Sequence, residues 1–201
     1  MIPTFLISFA ALVALYLAGD RRLRRLQELH DTLGRHFAHA DALFARRHDT
    51  LERLVETARE ALPPEWTTLD ALESDRRAAS TARLACAKDP TDSAAIQGLA
   101  SAEQSIDANL ARIAAAFAAT EPSPDHSLAR LLAELTDSRE RLDAATRTFD
   151  TAMQLYNTEL ATFPNRLFAA VLHIAPGRML AGTAGGSGPA VPTESRVRPA
   201  S

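Results

Sequence analysis

The stretch LRRLQELHDTLGRHFAHADALFARRHDTLERLVETAREALPP, residues 23–64, decides the fold. Within it Leu23, Leu26, His30, Leu33, Phe37, Ala40 and Phe44 alternate steps of three and four, and Leu51, Leu54, Val55, Ala58 and Leu62 resume the stripe. That spacing keeps one face of an α-helix apolar over many turns. It predicts one long helix, stopped at Pro63-Pro64, because two prolines remove backbone donors and push the residue before them out of the α region.

Upstream, the run from Ile2 to Ala18 carries no charged side chain. As a helix it would cover roughly 25 Å, close to the hydrocarbon thickness of a bilayer. No Lys or Arg precedes the run, and Tyr16-Leu17-Ala18 lacks the small-x-small pattern of a signal-peptide cleavage site, so residues 1–19 read as an uncleaved transmembrane anchor. Arg21, Arg22, Arg24 and Arg25 follow at once. Basic residues beside a span are retained in the cytoplasm and attract anionic lipid headgroups, which predicts a single pass with the N-terminus outside and the remaining chain in the cytoplasm.

Downstream, a second helix is predicted from near Pro64 to Lys88-Asp89-Pro90, with Leu69, Leu72, Ala79 and Cys86 on one face. Asp92 or Ser93 reads as the N-cap of a third, whose stripe runs Ile96, Leu99, Glu103, Ile106, Leu110, Ile113 and Phe117 up to Glu121-Pro122-Ser123-Pro124. The fourth spans about 125–160, turning Leu128, Leu132, Leu135, Leu142, Ala145, Phe149, Ala152, Met153 and Tyr156 inward. Short connections favour antiparallel neighbours, so the fold class is all-α: a transmembrane helix followed by an up-and-down bundle of about four helices over residues 20–174. Residues 175–201 hold five of the eight glycines and four prolines, and are expected to be a disordered tail.

A formal charge of −3 argues against general nucleic-acid binding. The single cysteine, Cys86, is compatible with a reducing compartment and reads as a small buried hydrophobe. Gly182 to Gly188 opens no helix and lacks the Lys-Ser/Thr of a phosphate loop, and neither a Gly-x-Ser-x-Gly elbow nor a Cys-x-x-Cys pair occurs. No small-molecule substrate and no cofactor are indicated. The one cluster with conceivable chemistry is His48, Asp49, Glu52 and Glu56, where i and i+4 residues share a helix face and could bind a divalent metal, giving a metal-binding domain or metal-dependent enzyme as the alternative function. The same stretch, with Arg46, Arg47 and Arg53, supplies opposite-charge pairs for an exposed helix face that could receive a protein partner. His36 and His39 flank the Phe37 stripe, and His30 on the stripe reads as a core or boundary histidine.

Residues 43–58, LFARRHDTLERLVETA, carry a family resemblance. Arg46, Arg47, His48, Asp49, Leu54, Val55, Glu56 and Thr57 resemble the signature of the LemA family, in which a basic dipeptide, His-Asp and Leu-Val-Glu-Thr follow an N-terminal anchor. Asp41 and Phe37 fall where the family has an Asp and a Trp. Tyr156-Asn157 and Phe163-Pro164 are similar to its closing Tyr-Asn and Phe-Pro pairs. The resemblance spans roughly Leu23 to Ile174, with departures: Glu52 stands at a usual proline, Leu23-Arg24 at a Tyr-Asn, Phe149-Asp150 at a second Tyr-Asn, and Arg139 at an acidic position.

The resemblance implies a single-pass protein of a bacterial-type plasma membrane with a helical bundle and no established catalytic activity. The expected function is a non-enzymatic scaffold or membrane-organising module that binds protein partners or self-associates. One segment, Leu167 to Ile174 led by Phe163-Pro164, is too short to span a bilayer and too apolar for a solvated helix. It meets the membrane surface if the second helix folds back at Pro63-Pro64, and becomes a distal cap or an oligomer contact if that helix runs on past a kink.

Overall fold

Pro63 and Pro64 reverse the chain. The computed structural model describes residues 2–119, 126–162 and 176–180, with side chains from Arg24 onward. Helix α1 runs without interruption over Ile2–Ala61, a single 3-10 turn covers Pro63–Glu65, and α2 (Trp66–Lys88), α3 (Ser93–Ala119) and α4 (His126–Ala161) follow. No strand occurs among the described residues. Leu62, outside the α region at φ −130°, is the residue before proline that steric contact with the ring displaces.

The remaining boundaries have equally local causes. Asp89 Oδ1 accepts hydrogen bonds from Thr91 N at 2.8 Å and Thr91 Oγ1 at 2.6 Å, fixing the turn through Pro90. Asp92 Oδ1 accepts from Ala94 N and Ala95 N at 2.9 and 3.1 Å, which makes Asp92 the N-cap of α3.

Interhelical pairs fix the register. Arg59 meets Asp70 at 3.0 Å, Arg76 meets Glu52 at 3.6 Å and Arg83 meets Asp41 at 2.6 Å, so α2 descends antiparallel to α1. Thr50 reaches Glu134, Phe37 sets its ring edge-on to Phe149 at 5.7 Å, and His30 lies 6.4 Å from Tyr156, so α4 is antiparallel to α1 as well. The second helix therefore folds back. The four helices form an up-and-down bundle around Leu33, Phe37, Leu51, Leu54, Leu69, Leu72, Ile96, Leu99, Ile106, Ile113 and Phe149.

Side-by-side packing is uneven. Helix α1 packs chiefly on α4 and α2, and α2 on α3, whereas α3 and α4 barely touch, which leaves a groove along one side. Residues 176–180 lie in part of that groove, so the expectation of a disordered tail beginning at 175 fails for these five residues. A second correction concerns His30, which is exposed, with Leu29 taking the core position beside it. The stripe rotates by one residue there because a straight helix at 3.6 residues per turn drifts from a strict three-four repeat.

Among the described residues no helix is long and apolar enough to cross a membrane. The anchor expected over 1–19 and the side chains of Arg21 and Arg22 lie outside the residues whose side chains are described, and so do Phe163, Pro164, the rest of the segment to Ile174, and residues 181–201.

Candidate functional site

Arg47 and His48, expected on an exposed face, point into the bundle. Arg47 is 2 % exposed and His48 4 %. One turn of α3 receives both: Glu103 Oε1 lies 2.7 Å from His48 Nε2, Glu103 Oε2 lies 3.3 Å from Arg47 Nε, and Asp107 Oδ1 accepts from an Arg47 terminal nitrogen at 2.6 Å. The other terminal nitrogen donates to the Leu135 carbonyl of α4 at 3.4 Å. Asp107 also holds Arg139 of α4, which pairs with Asp143 one turn on, so a chain of charges crosses from α1 through α3 to α4. Burial pulls the Arg47 pKa below its ordinary value, and Glu103 opposes that shift by stabilising the cation.

Sequence reasoning missed Glu103, Asp107 and Arg139 as partners. The signal was present in Glu103, a charged residue on an apolar heptad stripe, which calls for a buried counter-charge. The stripe breaks where the basic dipeptide of α1 must be neutralised.

The metal-ligand cluster does not assemble. His48 turns inward to Glu103, whereas Asp49, Glu52 and Glu56 are exposed and Glu52 reaches Arg76 of α2. Residues one helical turn apart share a broad face, but this one is split between Glu103 of α3, which takes His48, and Arg76 of α2, which takes Glu52. Among the described residues no group of three or more His, Cys, Asp or Glu is arranged to hold a metal ion. Of the other motif positions, Leu54 and Val55 are core, Thr57 donates to the Arg53 carbonyl at 2.9 Å, and Arg46 stays exposed 3.9 Å from Glu134. His36 is half-buried beside Leu29 and Leu155, and His39 is exposed.

The groove between α3 and α4 has a built recognition surface. Asn157 grips Gly177 with both polar atoms: Nδ2 donates to the Gly177 carbonyl at 2.8 Å and Oδ1 accepts from its N–H at 3.0 Å. Seven residues earlier on α4, Asp150 Oδ1 accepts from Leu180 N at 2.7 Å. From α3, Ser93 donates to the Pro176 carbonyl and Gln97 accepts from Arg178. A Cβ at Gly177 would collide with the thioether of buried Met153. The two aromatic-Asx pairs of α4, Phe149-Asp150 and Tyr156-Asn157, thus do one job twice: the ring packs inward and the polar side chain holds the returning backbone.

This strap lies well past the end of α4, and the family match includes it: the chain matches the LemA family over residues 36–191. The chain belongs to the LemA family. No curated protein matches it. For the LemA chain described here, the match starts at His36 within α1 and runs beyond Leu180, so the matched unit takes in the strap as well as the four helices.

Proposed function

We propose that this LemA-family chain is a membrane-tethered, non-enzymatic scaffold, its bundle held at the cytoplasmic face of a bacterial-type plasma membrane. The observation that carries the reading is the continuity of α1. One helix joins the uncharged run at Ile2–Ala18 to the bundle core, so any span in that run is mechanically fixed to the domain. The arginines at 21–25 supply the cytoplasmic retention signal.

The bundle's polarity supports the same placement. Helix α4 ends beside the first bundled turns of α1, and Pro176 returns to that same end beside Ser93. Thr162, at the end of α4, and Pro176 thus both lie at the bundle end that holds the first bundled turns of α1. Against catalysis stands the employment of the polar residues: Arg47, His48, Glu103, Asp107 and Arg139 are engaged with one another. The outward strip of Asp49, Glu56 and Glu60 on α1 is the surface offered to a protein partner or a second copy.

The test uses the full chain carrying Cys86→Ala and Trp66→Cys, since Trp66 is 65 % exposed at the tip farthest from the proposed membrane. Membrane fractions should contain the protein, and a membrane-impermeant maleimide should label it only after lysis. Labelling in intact cells overturns the orientation, and recovery in the soluble fraction overturns the tether.

A further inference from the structure

Two of the chain's three methionines meet at the strap. Met153 of α4 is fully buried, and its thioether lies so close to Gly177 that a Cβ built on that glycine would overlap the sulfur. Thr91 Cα, from the turn before α3, lies 3.6 Å from the same position. Met179, on the strap itself, is half-buried against the core, and its sulfur accepts a hydrogen bond from exposed Gln154 Nε2 at 3.3 Å. One sulfur is open to a reagent in solution, and the other is shut away behind strap backbone.

Few contacts hold the strap. Asn157 takes both backbone polar atoms of Gly177, Asp150 takes Leu180 N, and Ser93 and Gln97 reach Pro176 and Arg178 from α3. A segment held this way opens locally more readily than the helices beneath it. Oxidation turns a thioether from a flexible apolar group into a polar, bulkier one. At Met179 that takes apolar packing from the strap. At Met153 it places an acceptor oxygen in the core, where the adjoining Gly177 N–H is already committed to Asn157 Oδ1 at 3.0 Å, and a buried polar atom without a partner is costly.

We propose that Met179 and Met153 are an ordered pair of oxidation sites, with a hydroperoxide as the oxidant, whose modification frees residues 176–180 from the bundle and holds them off. The sulfur lone pair attacks the terminal oxygen of the hydroperoxide, and an S–O bond forms as the O–O bond breaks. The thioether gives up two electrons, and the proton of the attacked oxygen passes to the departing one. The products are a sulfoxide and an alcohol, or water when the oxidant is hydrogen peroxide. Met179 reacts first because Met153 is covered. With its packing weakened the strap opens more often, which admits oxidant to Met153; oxygen on that sulfur then takes the space beside Gly177 and prevents reseating. Two thiols reverse each step through a methionine sulfoxide reductase, forming a disulfide and water. Opening bares the seat of Leu180 among Phe44, Leu142 and Thr146. The device does not depend on where the bundle sits relative to a membrane.

The experiment treats the purified full chain with hydrogen peroxide, follows each methionine by peptide mass spectrometry, and follows the strap by hydrogen exchange. In native buffer Met179 should be oxidised at least about tenfold faster than Met153, since susceptibility follows exposure. Equal rates overturn the order. Asn157→Ala should speed oxidation of Met153 at least about fivefold by loosening the strap, and Met179→Leu, which keeps the packing but cannot be oxidised, should slow it. A Met153 rate indifferent to Met179→Leu overturns the coupling. The doubly oxidised protein should exchange fast at Gly177 and Leu180 with α1 to α3 still protected; unchanged exchange at those two amides, or lost protection throughout the bundle, overturns the release. In Met153→Leu, peroxide should oxidise Met179 yet leave most protection at Gly177, and full loss there would remove Met153 from the device. Treatment with the two epimer-specific reductases and dithiothreitol should restore the strap's protection, and a failure to restore it would overturn a reversible latch.

Discussion

Glu103 of α3 lies 3.3 Å from Arg47 Nε of α1 while its other oxygen lies 2.7 Å from His48. One carboxylate thereby answers two consecutive buried residues of the facing helix. Removing the cation leaves Glu103, 12 % exposed, without its charged partner while Asp107 keeps Arg139, and truncation of one partner of a buried pair costs about 3–5 kcal/mol. Arg47→Ala should lower urea-unfolding stability by that amount. Arg47→Met combined with Glu103→Gln should recover more than half of the loss, because an apolar chain of similar length then faces a neutral amide. Equal losses in the single and double variants would refute the assignment of Arg47 as the neutralising group.

Asn157 provides a separate handle on the strap. Asn157→Ala removes both hydrogen bonds to Gly177, each worth about 0.5–1.5 kcal/mol. Hydrogen exchange at residues 176–180 should accelerate, with helices α1 to α3 keeping their protection. Accelerated exchange throughout the bundle would mean that Asn157 supports the core and not the strap.

Two acids of α2 respond to pH in opposite senses. Glu73 is held at about 2, below its usual 4.5, mainly by hydrogen bonds from Arg76 with help from Arg77. A depressed carboxylate stabilises the fold above its unfolded pKa, and that contribution disappears as pH falls from about 4.5 through about 2. Glu73→Gln should cost about 0.5–1 kcal/mol at pH 7, and the difference should be mostly gone by pH 2, where the carboxyl is half protonated. Asp75 is raised by burial, with Asn109 donating at 2.9 Å in partial compensation, so its charge weakens the fold at neutral pH. Asp75→Asn should raise Tm at pH 7, and the gain should shrink as the acid is protonated. Thermal melts across pH 2–7 check both signs.

How far the sequence exposes this arrangement differs by feature. The four helices and their ends are legible because apolar periodicity and proline act locally: Pro63-Pro64 stops α1 and Asp92 caps α3. Fold-back of α2 is not, since a proline pair permits either a kink or a reversal; contacts such as Arg83 with Asp41, 42 residues apart, decide it. Arg47 and His48 are recognisable as a motif but not as buried groups, because polar residues inside a bundle follow no helical period and only their partners reveal them. The glycines of the strap suggest a loose tail, whereas Gly177 is buried against the Met153 thioether, which would have to shift to admit a Cβ there. Composition reports flexibility in the unfolded chain and is silent about grooves.

Phe37 and Phe149 couple α1 to α4 edge to face at 5.7 Å, both nearly fully buried. Phe149→Ala should cost about 3–5 kcal/mol through cavity formation. A double-mutant cycle using Phe37→Leu and Phe149→Leu should return about 0.5–1.5 kcal/mol of coupling beyond area burial. Coupling near zero would show that the rings only fill volume.

Cys86 offers a reporter for the whole bundle. Its side chain is fully buried on α2, and desolvation, with Asp92 adding repulsion, pushes the thiol up to about 12 from its ordinary 9.0. A rise of that size reduces the reactive thiolate by about a thousandfold, and burial denies reagent access as well. Native protein at pH 8 should therefore resist iodoacetamide, and label only through opening of the core around α2. The labelling rate should rise with urea in step with loss of helical signal. It should rise in native buffer for Arg47→Ala but not for Asn157→Ala, because the strap touches α3 and α4 and leaves Cys86 covered. Fast labelling of the unmutated chain in native buffer would contradict the burial of the α2 face that carries Cys86.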